Sequence, residues 1–312
     1  MLVVETGFAI RSAVLTRGDN DRTPRGEYFI PDADLGYKAR PATTVTASKA
    51  KHGETIYRVR YTIDDKGRRL TPGDASGPTW VFMGCSYTFG EGVNDSETLP
   101  SYFSADMGNH ENVLNLAFQG YGPHQMLRLL ETEPRSMPAH ADHVIYQAIF
   151  YHVRRSAGRA EWDLSGPRYR IDGDSVVYTG PFYGRRTRTA IQMLRQSDFL
   201  SFVSTALYFN ERFDARDLEL YGRIVEQSAR AAKRRLGADF TILYWDDTTS
   251  LARQVLKRLT VTGLPLVRVS TIIPRSEWTS VRLPNDLHPG PEANRRIAAW
   301  LARSAQSPNK SR

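Results

Sequence analysis

Trp80, Val81, Phe82 and Met83 form an unbroken apolar run, the pattern of a strand buried on both faces, and the run stops at Gly84-Cys85-Ser86. Similar short runs recur downstream and predict strands near 79–84, 112–117, 142–150, 239–245 and 265–270. Between them the apolar spacing turns helical: Met126, Leu129 and Leu130 mark one stripe, and Leu218, Tyr221, Val225, Ala229, Ala232 and Leu236 mark a longer one. A last helix carries Ile297, Trp300 and Leu301 behind a start marked by Pro289 and Pro291. This alternation predicts one α/β domain over 79–304, a parallel sheet with helices on both faces.

Two stretches break the rhythm. In residues 1–78, Tyr57, Val59, Tyr61 and Ile63 alternate with Arg58, Arg60 and Thr62, and Asp64-Asp65-Lys66-Gly67 supplies turn chemistry, so a β-hairpin appendage is expected there. The Pro72-Gly73 and Gly77-Pro78 pairs make 71–78 its linker. In 154–198, Tyr169 to Asp174 and Val176-Val177-Tyr178 predict an inserted hairpin beside the carboxyl end of the third strand. Residues 305–312 read as a flexible tail.

Composition narrows the class without choosing a function. The 312 residues are 40% hydrophobic and 24% charged, which suits a globular chain with a sizeable core rather than a disordered one. The net charge of +8 is scattered in clusters such as Arg185-Arg186, and no nucleic-acid motif accompanies it. No nucleic-acid partner is therefore expected, and association with an anionic membrane surface stays open. The single Cys85 excludes an internal disulfide and reads as a packed thiol. Met1 to Arg11 is too short for a span, which needs about 20 apolar residues, and it lacks a basic leader region. His140, Asp142 and His143 do not make up a convergent ligand set, so no metal is expected.

The candidate chemistry begins where the first strand stops. A Ser in a tight turn at the carboxyl edge of a sheet exposes its hydroxyl beside free backbone N–H groups, which suits Ser86 as a nucleophile. Taken alone the turn is common, and it needs a base and an acid. Asp286-Leu287-His288-Pro289 offers both, just ahead of the last helix.

With those residues the sequence resembles the SGNH, or GDSL-type, hydrolases. Gly84-Cys85-Ser86 with Gly90 is similar to the first block of that family, Asn115 to Gly122 to the second, and Asp286 to Pro289 to the last. The resemblance spans 79–303 and implies a flavodoxin-like five-stranded parallel sheet, no cofactor, and ester hydrolysis by Ser86, His288 and Asp286. The acid of the commoner Asp-x-x-His form would fall on Asn285, whereas the shorter Asp-x-His form selects Asp286. The resemblance also implies an oxyanion hole from the N–H groups of Ser86 and Gly120 plus a third-block Asn, but this chain has no Asn there. His152 is expected to replace it, with structural packing of His152 as the competing reading. Arg154 and Arg155 are expected to bind an anionic or polar part of the substrate, or else to pair with the inserted segment.

The substrate that the resemblance implies is an acyl or acetyl ester of a glycan, lipid or small molecule. An acyltransferase using the same serine and a non-catalytic binding module remain alternatives. Some proteins of this kind carry a membrane anchor ahead of such an N-terminal segment, so the compartment stays open, as does the oligomeric state.

Overall fold

The computed structural model describes residues 19–21, 25–132, 135–194, 196–197, 199–200 and 213–306. The stretch Met1 to Arg11 therefore lies outside the described residues. The N-terminal part holds β1 (Asp19–Asp21), a helical turn α1 (Arg25–Tyr28), β2 (Phe29–Asp32), β3 (Gly36–Ala39), β4 (Thr43–Lys51) and β5 (Glu54–Ile63). The α/β part follows with β6 (Thr79–Met83), α2 (Ser86–Phe89), α3 (Leu99–Asp106), β7 (Asn112–Asn115), α4 (Pro123–Thr132), β8 (His143–Ala148) and α5 (His152–Ser156). An insertion adds β9 (Pro167–Asp172), β10 (Ser175–Pro181) and α6 (Arg185–Leu194). The chain closes with α7 (Ala215–Leu236), β11 (Asp239–Tyr244), α8 (Ser250–Val261), β12 (Leu266–Arg268), α9 (Trp278–Val281) and α10 (Pro291–Gln306).

The central sheet has the order β12-β11-β8-β6-β7, and every pair in it is parallel. Counted from β6 this is the doubly wound order 2-1-3-4-5 of flavodoxin-like folds, as expected. Successive side chains of β6 point to opposite faces, so one strand serves two cores. Val81 and Met83 pack with Leu127 and Leu130 of α4 and Ile224 and Val225 of α7. Trp80 and Phe82 pack with Phe103 of α3 and Ile297 and Leu301 of α10. That is why the run contains no polar residue. The chain winds from β6 to β7 on one side and to β8 on the other, which leaves a crevice at the carboxyl ends of β6 and β8.

The N-terminal part is larger than the expected hairpin. The strand over 57–63 pairs chiefly with β4, which precedes it, through a turn at His52-Gly53 with φ of 51° and 86°. The Asp64–Gly67 turn makes only a short reversal, in which Leu70 N–H donates to Thr62 O at 2.8 Å. Tyr57, Val59, Tyr61 and Ile63 belong to the same cluster as Val81 and Phe118, so this sheet extends the core of the α/β part. Arg69 locks the junction. Its buried guanidinium pairs with Asp95 at 2.7 Å, donates to Val93 O and lies 4.4 Å from the centre of the Tyr61 ring. Removing one partner of such a buried pair costs about 3–5 kcal/mol.

The inserted hairpin lies where expected, while α6 behind it was not anticipated. The last helix runs through Gln306, so residues 305 and 306 are helical rather than part of a tail, and 307–312 lie outside the described residues. Among the described residues no helix is long and apolar enough to cross a membrane.

Candidate active site

The turn after β6 is forced by close packing. At Gly84, with φ of 156°, a Cβ would sit 2.3 Å from Thr88 Oγ1, so only glycine lets α2 fold back over the strand end. Thr88 Oγ1 donates to Gln147 Oε1 at 2.7 Å, which ties α2 to β8. Cys85 is fully buried in the core, as a packed thiol. Ser86 is the first residue of α2, where backbone N–H groups have no partner within the helix.

The loop before α10 is equally constrained. Leu283 N–H donates to His288 O and Asp286 N–H to Leu283 O, with Asn285 at the bend in the left-handed region at φ of 53°. Tyr87 of α2 donates its hydroxyl to Leu287 O at 2.8 Å, joining the loop to the serine helix. These contacts place His288 Nε2 2.9 Å from Ser86 Oγ. Nδ1 of the same ring lies 2.5 Å from Asp286 Oδ1, which also accepts the backbone N–H of His288 at 2.8 Å. With the Nδ1 proton directed at Asp286, Nε2 is left to accept from the serine hydroxyl. Asp286, not Asn285, is the residue brought to the imidazole.

Two further charges border this row. Lys49 of β4 donates from Nζ to Asp286 Oδ2 at 2.8 Å, and Glu91 Oε2 stands 3.7 Å from His288 Nε2. Burial by itself would raise the Asp286 carboxyl. The hydrogen bond and charge of His288, with the hydrogen bond of Lys49, outweigh it and hold the acid well below the usual carboxylate range. For His288 burial pulls the pKa down, but the charge of Glu91 and the bond to Asp286 prevail and raise it above 6.5.

Gly120 faces the same crevice with φ of 80°, and it is clamped from both sides. Tyr37 donates its hydroxyl to Gln119 O at 2.9 Å, and Trp162 donates Nε1–H to Gly120 O at 3.2 Å. A Cβ on Gly120 would meet Tyr37 Oη at 2.5 Å, so no side chain fits. In a trans peptide the N–H points opposite to the preceding carbonyl, so the Tyr37 bond also fixes the direction of the Gly120 N–H.

Ser86, His288 and Gly120 open into a cleft of about 940 Å³. Phe29, Pro31 and Tyr37 of the N-terminal part form one wall, and Trp162, Arg185 and Arg188 of the insertion form the other. Arg155 lines the cleft with its guanidinium donating to Tyr121 O at 2.7 Å, whereas Arg154 is not among the lining residues and sits 5.7 Å from the Trp162 ring centre.

His152 is placed differently from the expectation. The strand ends at Ala148 and a helix begins at His152, so strand alternation does not aim its ring at Ser86. The imidazole is fully buried, lies 2.7 Å through Nδ1 from the Tyr146 hydroxyl, and does not line the cleft. Burial first, then the charges of Arg155 and His124, hold its pKa well below 6.5. The oxyanion role is therefore not carried to His152.

Sequence reasoning missed Lys49, Tyr37, Glu91 and Trp162. Glu91 lies inside the Gly90-Glu91-Gly92 stretch and could have been singled out there; the other three depend on long-range docking. Among the described residues no group of three or more His, Cys, Asp or Glu is placed to hold a metal ion.

No family model matches the chain, and no curated protein matches it at a significant level. Solved structures similar to it include a member of the lipolytic G-D-S-L family from Veillonella parvula, with 12% identity, 74% of this chain and 98% of that one covered, and a TM-score of 0.42. An alpha/beta hydrolase enzyme from the metagenome of Lake Arreo, Spain, shares 13% identity over 74% of this chain and 97% of its own, with a TM-score of 0.44. A variant of Axe2, an acetyl xylan esterase from Geobacillus stearothermophilus, shares 13% identity over 78% of this chain and all of its own, with a TM-score of 0.40.

Proposed function

We propose that this protein is a serine-dependent ester hydrolase of the carboxylesterase or acetylesterase type. The observation that carries the reading is the continuous row Ser86 Oγ, His288 Nε2, His288 Nδ1, Asp286 Oδ1, with its two contacts at 2.9 and 2.5 Å. A serine hydroxyl is a weak nucleophile until a base takes its proton. Ser86 Oγ attacks the ester carbonyl carbon while its proton passes to His288 Nε2, and Asp286 holds the imidazole in the required tautomer and stabilises the imidazolium. The negative carbonyl oxygen meets the backbone N–H groups of Ser86 and Gly120. As the tetrahedral species collapses, the C–O bond to the alcohol breaks and His288 returns the proton to the leaving oxygen. Water, activated by the same imidazole, then attacks the acyl-serine and releases the acid.

The open cleft suits an acyl or acetyl group carried on a larger alcohol. Arg155 supports an anionic or polar group on that alcohol, because it lines the same cleft as Ser86 and His288. Fluorophosphonate labelling tests the reading without knowledge of the substrate. The wild type is expected to label and Ser86→Ala and His288→Ala to lose labelling; an unlabelled, folded wild type, or a labelled Ser86→Ala, sinks it.

A further inference from the structure

We infer that Lys49 is a positioning residue of the reaction centre: from the N-terminal sheet it fixes the outer oxygen of Asp286, so the site is composite and residues 79–306 alone do not complete it. This rests on the ester-hydrolase reading above. Asp286 has two oxygens, and its side chain is only 4% exposed. Oδ1 is used twice by His288, through the backbone N–H and Nδ1. Oδ2 accepts from Lys49 Nζ at 2.8 Å. A carboxylate that has left water needs both oxygens satisfied to stay ionised and fixed in rotation, and the ammonium supplies the bond that the loop 283–288 does not.

The location of Lys49 makes the contact specific. It lies near the end of β4, opposite Tyr57 of β5, where the pairing register shifts between Lys49 and Ala50. That irregularity falls at the residue whose side chain reaches Asp286, and pairing resumes beyond it at Ala50 with Thr55. β4 and β5 are fastened to the α/β part through the Arg69–Asp95 pair, so the lysine is presented by an anchored sheet rather than a free arm. The same part of the chain supplies Tyr37, which holds the Gln119–Gly120 peptide. Acid and oxyanion peptide are thus both braced from residues 29–63.

The contact also has an electrostatic sign. The charged groups facing the imidazole are Asp286, Glu91 and Lys49, and Tyr87 packs a neutral ring 5.3 Å away. Glu91 favours the imidazolium and Lys49 disfavours it. Arg155 also lines the cleft. Removing the lysine charge therefore lets His288 hold its proton to higher pH.

The test uses the full chain with Lys49→Met, Lys49→Gln and Lys49→Arg, measuring p-nitrophenyl acetate hydrolysis and the fluorophosphonate labelling rate against pH, with folding followed by circular dichroism. Lys49→Met is expected to lower kcat about tenfold with KM within about twofold, and to move the acid limb up by about one pH unit. Lys49→Arg is expected to restore the limb. Lys49→Gln keeps a hydrogen-bond donor without charge and should leave the limb displaced, which keeps the proposal testable if Lys49→Met fails to fold. Wild-type kcat and acid limb in folded Lys49→Met or Lys49→Gln would overturn the role of Lys49 while leaving the hydrolase reading intact. A folded wild type that neither labels nor hydrolyses ester overturns the hydrolase reading, and this proposal with it.

Discussion

Glu91 Oε2 lies 3.7 Å from His288 Nε2, the same nitrogen that stands 2.9 Å from the Ser86 hydroxyl. A carboxylate there stabilises the imidazolium, and together with Asp286 it outweighs burial and raises the pKa of His288. The base works only when neutral, so activity grows as pH rises through that pKa. The acid limb of kcat/KM is expected above pH 6.5, and in Glu91→Gln it should move down by about one unit. A limb unmoved by the substitution would show that Glu91 does not set the charge state of the base.

The acid is tested by a pair of neighbours. Asp286→Asn keeps the shape but loses the charge that favours the imidazolium, and kcat should fall by about 10³–10⁴-fold. Asn285 sits exposed at the bend, so Asn285→Ala should change kcat by less than about threefold and act mainly on stability through the loss of a residue tolerant of positive φ. Steady-state kinetics on both variants decide, and the reverse ranking would assign the orientation of His288 to another group.

Tyr37→Phe removes the hydroxyl that holds Gln119 O while keeping the ring that lines the cleft. A hydrogen bond of this kind is worth about 0.5–1.5 kcal/mol net, so kcat should fall about 2- to 10-fold with KM nearly constant. A rise in KM at constant kcat would instead place Tyr37 in substrate binding alone.

His152 is expected to matter for folding rather than for rate. Burial keeps its imidazole neutral with a pKa well below 6.5, so below that pH the unfolded chain binds a proton that the folded chain refuses, and stability falls. His288 contributes the opposite sign: its raised pKa gives stability that is full below pH 6.5 and is lost as pH rises through the folded value. Replacing His152 with Phe should shrink the drop in melting temperature between pH 7.5 and pH 5, and His152→Asn should not raise kcat. A large selective loss of kcat in a folded His152→Ala would restore a catalytic role to this residue.

Much of the α/β part was legible because strand signals are local. The run Trp80 to Met83 is apolar on both faces for a visible reason, and β6 begins at Thr79 as the linker at 71–78 implied. Ser86, Asp286 and His288 could be singled out because each lies within two residues of a glycine or proline that marks the end of an element. Lys49 and Tyr37 were not, since their roles come from docking across more than 80 residues of sequence, and nothing near them marks it. His152 failed for a different reason. The run Tyr146 to Val153 carries no breaker, yet Tyr151 is already in the right-handed helical region, so the period changed without a sequence signal. The N-terminal hairpin is present, but its longer partner strand lies upstream through His52-Gly53, although Asp64-Asp65-Lys66-Gly67 has the stronger turn chemistry.

The row of hydrogen bonds at the crevice joins residues far apart in synthesis: Ser86 and His288 are 202 positions apart, and Lys49 and Asp286 are 237 apart. At about 5–20 residues per second the imidazole leaves the ribosome about 10–40 s after the serine hydroxyl. Throughout that interval the nascent serine has no base, and its glycine-flanked turn can pack against β7 and β8 without carrying chemistry. Under the proposed function the nucleophile gains its base only once the loop before α10 has been made, so a chain that ends short of His288 carries a serine without its partner.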